Sequence, residues 1–141
     1  GSPIGGCTNK IINTIEESGG SIVAYELCSS IRNNRELVDE NNPDVYDALA
    51  KKYLNIGCAC MMNNDKRIQL IDELIEEFKI DGVIDIALQS CHPFNVESNR
   101  IKEFVVNDKK IHYMAIETDY SQSDTEQLRT RFEAFIEMIE S

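Results

Sequence analysis

Asp81-Gly82-Val83-Ile84-Asp85-Ile86-Ala87-Leu88 is the stretch on which the fold turns. Val83 to Leu88 is apolar and β-branched, too short for a helix, and set off by Asp81-Gly82, so it reads as a buried strand. Upstream, a helix begins near Asn64-Asp65, places Ile68, Ile71, Ile75 and Phe78 in one stripe, and is broken by Asp81-Gly82. Downstream, a helix is expected from about Asn95 to Val106, with Ile101, Phe104 and Val105 inward, and then a strand over Ile111 to Ile116. Further out lie a helix over Thr8 to Ser18, with Ile11, Ile12 and Ile15 on one face and Gly19-Gly20 as its stop, and a short buried strand at Ile22-Val23-Ala24-Tyr25. Asn42 and Pro43 open a helix through Val45, Leu49 and Tyr53. Ser123-Asp124-Thr125-Glu126 has capping-box spacing ahead of a last helix carrying Leu128, Phe132, Phe135, Ile136 and Ile139. Strands alternating with helices make parallel βαβ units, so the expected class is α/β, with helices on both faces and Val83 to Leu88 central and fully buried.

A chain of 141 residues matches one domain, and its 42% hydrophobic and 28% charged content is that of a globular protein. The net charge of −11 argues against nucleic acid and anionic membrane surfaces as partners. Apolar runs are too short to span a bilayer, and no basic segment leads into an apolar one at the start, so a cytoplasmic location is expected. Five cysteines, an odd number without the spacing of a disulfide framework, suit a reducing compartment.

Ligands of open parallel sheets bind beyond the carboxyl ends of the strands. Cys28 falls just after the Ile22 strand, Cys91 three residues after Leu88 and directly before a helix, Cys58 and Cys60 in the loop before Asn64, and Cys7 ahead of the first helix. Helix N-termini favour thiolate, the form that binds iron or zinc. A ligand role therefore outweighs burial for Cys91, stands level with it for Cys28 and Cys60, is weaker for Cys58, and yields to burial for Cys7. Zinc is disfavoured, because Cys58-Ala59-Cys60 is one residue too close for a zinc pair and no second pair exists. His92 could hydrogen-bond a ligand or move a proton, although a lone loop histidine is more often structural. Glu117, Thr118 and Asp119 face the same edge, with a capping and turn role preferred for them.

Several stretches, in order along nearly the whole chain, resemble a known family. They are Gly1-Ser2-Pro3-Ile4-Gly5-Gly6, Glu26-Leu27-Cys28, Cys58-Ala59-Cys60-Met61-Met62-Asn63-Asn64 with Arg67, and Cys91-His92-Pro93-Phe94 with Glu97. Glu117-Thr118-Asp119-Tyr120-Ser121, Asp124 and Arg129-Thr130-Arg131 complete the series. Together they resemble the 2-hydroxyacyl-CoA dehydratases, of the 2-hydroxyglutaryl-CoA dehydratase D-component type.

The resemblance implies a Rossmann-like or flavodoxin-like domain forming the C-terminal half of a larger iron–sulfur subunit, with residues 1–141 lacking its first strand and the cluster's other cysteines carried by an N-terminal domain. It implies a [4Fe–4S] cluster with Cys91 as the strongest ligand and Cys28, Cys58 and Cys60 as further candidates, and no cluster on this chain alone. It also implies a related second subunit or homodimer partner, an ATP-dependent activator that delivers one electron, and radical elimination of water from a 2-hydroxyacyl-CoA. The Glu-x-Cys, Cys-x-Cys and Cys-His motifs are equally similar to the double-cubane cluster proteins, ATP-dependent reductases whose [8Fe–9S] cluster needs more thiolates per chain. A third reading is an α/β interaction domain whose cysteines are merely buried.

Overall fold

The computed structural model describes residues 5–61 and 63–141. Residues 1–4 of the first motif and residue 62 of the cysteine-loop motif lie outside them. Strands β1 (Gly82–Leu88) and β2 (His112–Thr118) pair in parallel, with Gly82 opposite His112 and Leu88 opposite Thr118. The alternation of β1 splits the core into two layers. On one face, Ile86 and Ile116 join Cys7, Ile11 and Ile15, with Leu128 and Phe132, from the helices α1 (Thr8–Glu17) and α6 (Thr125–Glu140). On the other, Val83 packs against Ile71 and Ile75 of α4 (Asp65–Phe78) and against Ile101 of α5 (His92–Glu103). Two smaller helices, α2 (Ile31–Asn34) and α3 (Val45–Leu54), lie between α1 and α4 in the chain. Among the described residues no helix is long and apolar enough to cross a membrane.

Several boundaries differ from expectation for local reasons. Helix α5 starts at His92 rather than near Asn95, because Pro93 suits the first turn and Cys91 serves as the N-cap. Helix α4 stops at Lys79, in a left-handed conformation (φ 50°), before Asp81-Gly82 is reached. Asp44, not Asn42, caps α3, its carboxylate accepting from the Tyr46 and Asp47 amides. The capping box before α6 does not form: the Asp124 carboxylate is taken by Lys10 and Thr118, both at 2.6 Å.

Ile22 to Tyr25 has no regular secondary structure and joins no ladder among the described residues, and Val23 is 50% exposed. A strand needs a neighbour about 4.8 Å away. Here the segment and Val83 to Ile86 of β1 instead line a largely apolar cavity of about 560 Å³, with Ile11, Ile75 and Phe135 on its other walls. For the same reason Val83 to Leu88 is not fully buried. Asp85, Ile86 and Ala87 are, while Val83, Ile84 and Leu88 are half-buried.

Phe132, wholly buried between α1 and the sheet, is the side chain whose truncation should cost most. Phe132→Ala is expected to lower unfolding stability by about 3–5 kcal/mol. Met138→Ala, on the exposed side of the same helix, should change it by less than about 0.5 kcal/mol in the same urea titration.

Candidate functional site

The carboxyl end of β1 is closed by a tight turn. The Gln89 amide donates to Thr118 O at 2.8 Å, Ser90 takes a positive φ of 68°, and the Cys91 amide donates to Leu88 O at 2.9 Å. This turn delivers Cys91, half-buried, to the N-terminus of α5. Cys28 lies in a turn fastened by Ser30, whose hydroxyl accepts from the Leu27 amide at 2.7 Å and donates to Tyr25 O at 2.5 Å. Cys58 and Cys60 occupy the turn before α4, where the Met61 amide donates to Cys58 O at 2.8 Å. Gly57 is required there: a Cβ would stand 2.6 Å from the Arg67 amide nitrogen.

The Cys60 thiol lies within electrostatic reach of the other three. The Cys60 thiol is pushed up, first by the charge of Cys58, then by a hydrogen bond with Cys58 and by burial, and further by the charges of Cys28 and Cys91. The structure thus brings Cys28, Cys58, Cys60 and Cys91 into one neighbourhood and leaves Cys7 out. Cys7 is wholly buried in the α1–α6 layer, and burial pushes its thiol up. None of the four is core filling, since Cys60 is exposed and the others half-buried. His92 is exposed at the first position of α5.

Beneath the thiols lies a buried ionic cluster. Arg67, 1% exposed, donates to Glu26 Oε2 at 3.1 Å and to Glu97 Oε2 at 3.5 Å, and stands 3.9 Å from Asp85. Arg32 donates from Nε to Glu26 Oε1 at 2.5 Å and from Nη1 to the Cys28 sulfur at 3.4 Å. Both guanidinium groups lie over the ring of Phe94, at 5.3 Å for Arg32 and 4.9 Å for Arg67. Asn64, the N-cap of α4, donates to Glu97 at 2.8 Å. Burial works to raise the Glu26 carboxyl, and the positive charges around it, Arg67 and Arg32 among them, hold it below the usual range. The cluster therefore ties together the Cys28 turn, the start of α4 behind Cys58 and Cys60, and the first turns of α5 behind Cys91.

Among the described residues, no three His, Cys, Asp or Glu side chains gather closely enough to hold a single metal ion. A polynuclear cluster makes a different demand, one thiolate at each of several irons, so its ligands stand further apart. Neighbouring thiols of which none is deep in the core fit that demand. Asn64 Oδ1, buried beside this region, has no hydrogen-bond partner among the described residues.

At the β2 end the turn role of Thr118 and Asp119 holds. Asp119 accepts from the Ser121 amide and hydroxyl at 2.8 and 2.7 Å, while Glu117 accepts from Asn95 at 2.9 Å. The organiser here is Lys10, whose buried ammonium donates to Thr118 Oγ1, Asp119 O, Ser121 O and Asp124. Sequence reading missed Lys10, Arg32 and the depth of Arg67. A signal existed for two of them: Lys10 falls in the stripe of Cys7, Ile11 and Thr14, and Arg67 in that of Ile71 and Leu74.

Removing Arg67 would strand a carboxylate. Arg67→Met is expected to lose about 3 kcal/mol at pH 7, against less than about 1 kcal/mol for Arg35→Met, whose pairs with Glu73 and Glu77 are at the surface. Because the folded Glu26 carboxyl is held low, its stabilisation is present above the ordinary carboxylate range and is lost as pH falls through the depressed value. The gap between wild type and Arg67→Met should accordingly narrow below about pH 4, as read by urea unfolding at a series of pH values.

Residues 1–139 match the family model described as 2-hydroxyglutaryl-CoA dehydratase, D-component. The chain is 50% identical over 139 residues to YjiM of Escherichia coli (strain K12), named there as a candidate dehydratase subunit, covering 99% of this chain and 36% of that protein. It is 30% identical over 133 residues to the (R)-phenyllactyl-CoA dehydratase beta subunit of Clostridium sporogenes, covering 94% of this chain and 35% of that one. It thus spans about a third of the length of these relatives. With a family model matched from Gly1 to position 139, the chain belongs to the 2-hydroxyglutaryl-CoA dehydratase D-component family.

Proposed function

We propose that this chain is the thiol-bearing part of an iron–sulfur subunit of a 2-hydroxyacyl-CoA dehydratase, a hydro-lyase that eliminates water from a 2-hydroxyacyl-CoA. The observation that carries this reading is the gathering of Cys28, Cys58, Cys60 and Cys91 over one buried ionic cluster. Cys91 would hold a [4Fe–4S] cluster, with Cys28 and Cys60 or Cys58 as further ligands. Such a cluster, when bound, supplies low-potential one-electron chemistry and an iron able to bind a hydroxyl group. The chain's own part is positional. The first turn of α5 presents Cys91 with helix N–H groups behind it, the ionic cluster holds the Cys28 turn, and exposed His92 stands where it could hydrogen-bond a substrate.

In this reading the activity belongs to a longer polypeptide, with a second subunit or a homodimer partner and an ATP-dependent one-electron donor completing it. The apolar cavity between residues 22–25 and β1 accords with that, since a strand entering it would pair with the edge of β1 that has no partner among the described residues and would cover Val83 and Ile84. Four neighbouring thiols, more than one cubane shared with another domain requires, favour a second reading, a double-cubane reductase of small molecules.

Iron content and visible absorbance of the anaerobically purified full-length protein test both. Cys91→Ala should lose iron and colour, and wild-type loading in that variant would reject Cys91 as a ligand. One cubane of iron and sulfide per chain supports the dehydratase reading. A double-cubane content, lost on Cys28→Ser or Cys60→Ser, supports the reductase.

A further inference from the structure

Arg32 is placed in a way that pairing with Glu26 does not explain. Its side chain is 1% exposed, so its charge is out of water and must be used. The guanidinium is a rigid planar fork, and its contacts with Glu26, Phe94 and Cys28 orient its plane. Nε donates to Glu26 at 2.5 Å, the face covers Phe94 at 5.3 Å, and Nη1 is left directed at the Cys28 sulfur at 3.4 Å. Phe94 is in the first turn of α5, three residues past Cys91. One buried cation thus touches the Cys28 thiol and the helix that presents Cys91. An ion pair with Glu26 alone would require neither the sulfur nor the ring.

We propose that Arg32 is a positioning residue for the cluster, fixing the Cys28 sulfur and donating to it a hydrogen bond that raises the reduction potential of the group Cys28 helps to hold. The inference rests on the iron–sulfur reading above. A thiol is a weak acceptor, whereas a metal-bound thiolate carries negative charge and accepts a charge-assisted hydrogen bond. On one-electron reduction the cluster gains one negative charge, shared with its sulfur ligands. A buried guanidinium and its N–H donor stabilise the reduced form more than the oxidised one, which moves the potential upward. The electron itself comes from the external one-electron donor.

The test is an anaerobic dithionite titration of the full-length protein, followed by electron paramagnetic resonance and with iron measured per chain. Wild type, Arg32→Gln, Arg32→Lys and the surface control Arg35→Gln are compared. The expected result is wild-type iron in all four, a lower midpoint potential in Arg32→Gln, an intermediate one in Arg32→Lys, and no change in Arg35→Gln. Lysine keeps the charge but cannot serve Glu26 and the sulfur together, hence the partial rescue. Full iron with an unchanged midpoint in Arg32→Gln overturns the proposal, as does an equal shift in Arg35→Gln, which would mark a bulk charge effect. If Arg32→Gln fails to load iron, Arg32→Lys decides: a lowered midpoint supports the proposal and an unchanged one overturns it. An iron-free wild type overturns the cluster reading itself, and the inference falls with it.

Discussion

Glu26 holds the cysteine edge together. It is a carboxylate at the end of a segment that joins no ladder among the described residues, so backbone pairing does not fix its position. Its place comes from Arg32, on Oε1, and Arg67, which reaches both carboxylate oxygens, the two guanidinium groups lying over the ring of Phe94. Glu97 and Asp85 balance the second cation. Ion pairs this deep add little net stability over an apolar filling of the same shape, because desolvation offsets most of the attraction. What they add is direction, since a guanidinium fork accepts few geometries and each one orients the loops attached to it. Loops that carry thiols need orientation more than they need stability.

That division matches the architecture. Helices α1, α4, α5 and α6 supply burial through Ile11, Ile71, Ile101 and Phe132, none of which lies at the cysteine edge. The edge is built from turns, at Cys28, at Cys58 to Cys60 and at Ser90-Cys91, and turns have little apolar surface with which to hold one another. A buried polar cluster substitutes for a core there. Lys10 plays the corresponding part at the end of β2, gathering two carbonyls, a hydroxyl and a carboxylate onto one ammonium.

Period and punctuation in the sequence carried the longer helices and both paired strands, but not the four-residue α2. Val83 to Leu88 and Ile111 to Ile116 came within two residues of the paired segments, and the stripe of Ile68, Ile71 and Ile75 identified the inner face of α4. The Ile22 to Tyr25 strand was misread because an apolar β-branched run reports a preference for extension, while a ladder depends on what lies beside it. The expected start of α5 near Asn95 is late because Pro93, which cannot continue a helix, is well suited to its first turn. The neighbourhood of the four cysteines was legible as sequence position, each thiol falling beyond a strand or ahead of a helix. The ionic cluster under them was not. Arg67 and Phe94 reach Glu26 and Arg32 only through long-range packing, and a charged residue on a four-residue helix gives no local sign of burial.

The unfilled side of β1 and the thiol edge are consequences of one topology. In a parallel sheet the strand that lies between two others delivers its following loop to the middle of the carboxyl edge. The described strands leave that middle position, between residues 22–25 and β1, to a cavity walled by Ile11, Ile75 and Phe135. Cys28 comes from the loop on one side of it and Cys91 from the loop on the other. An extended segment seated in the cavity would therefore emerge between the two thiols. A segment that covered Val83 and Ile84 would also lie between Cys28 and Cys91. Of the two, the apolar side makes the stronger demand, because the exposed face of Val23 and the half-buried face of β1 gain from any extended apolar chain, while the thiols discriminate among what that chain brings with it.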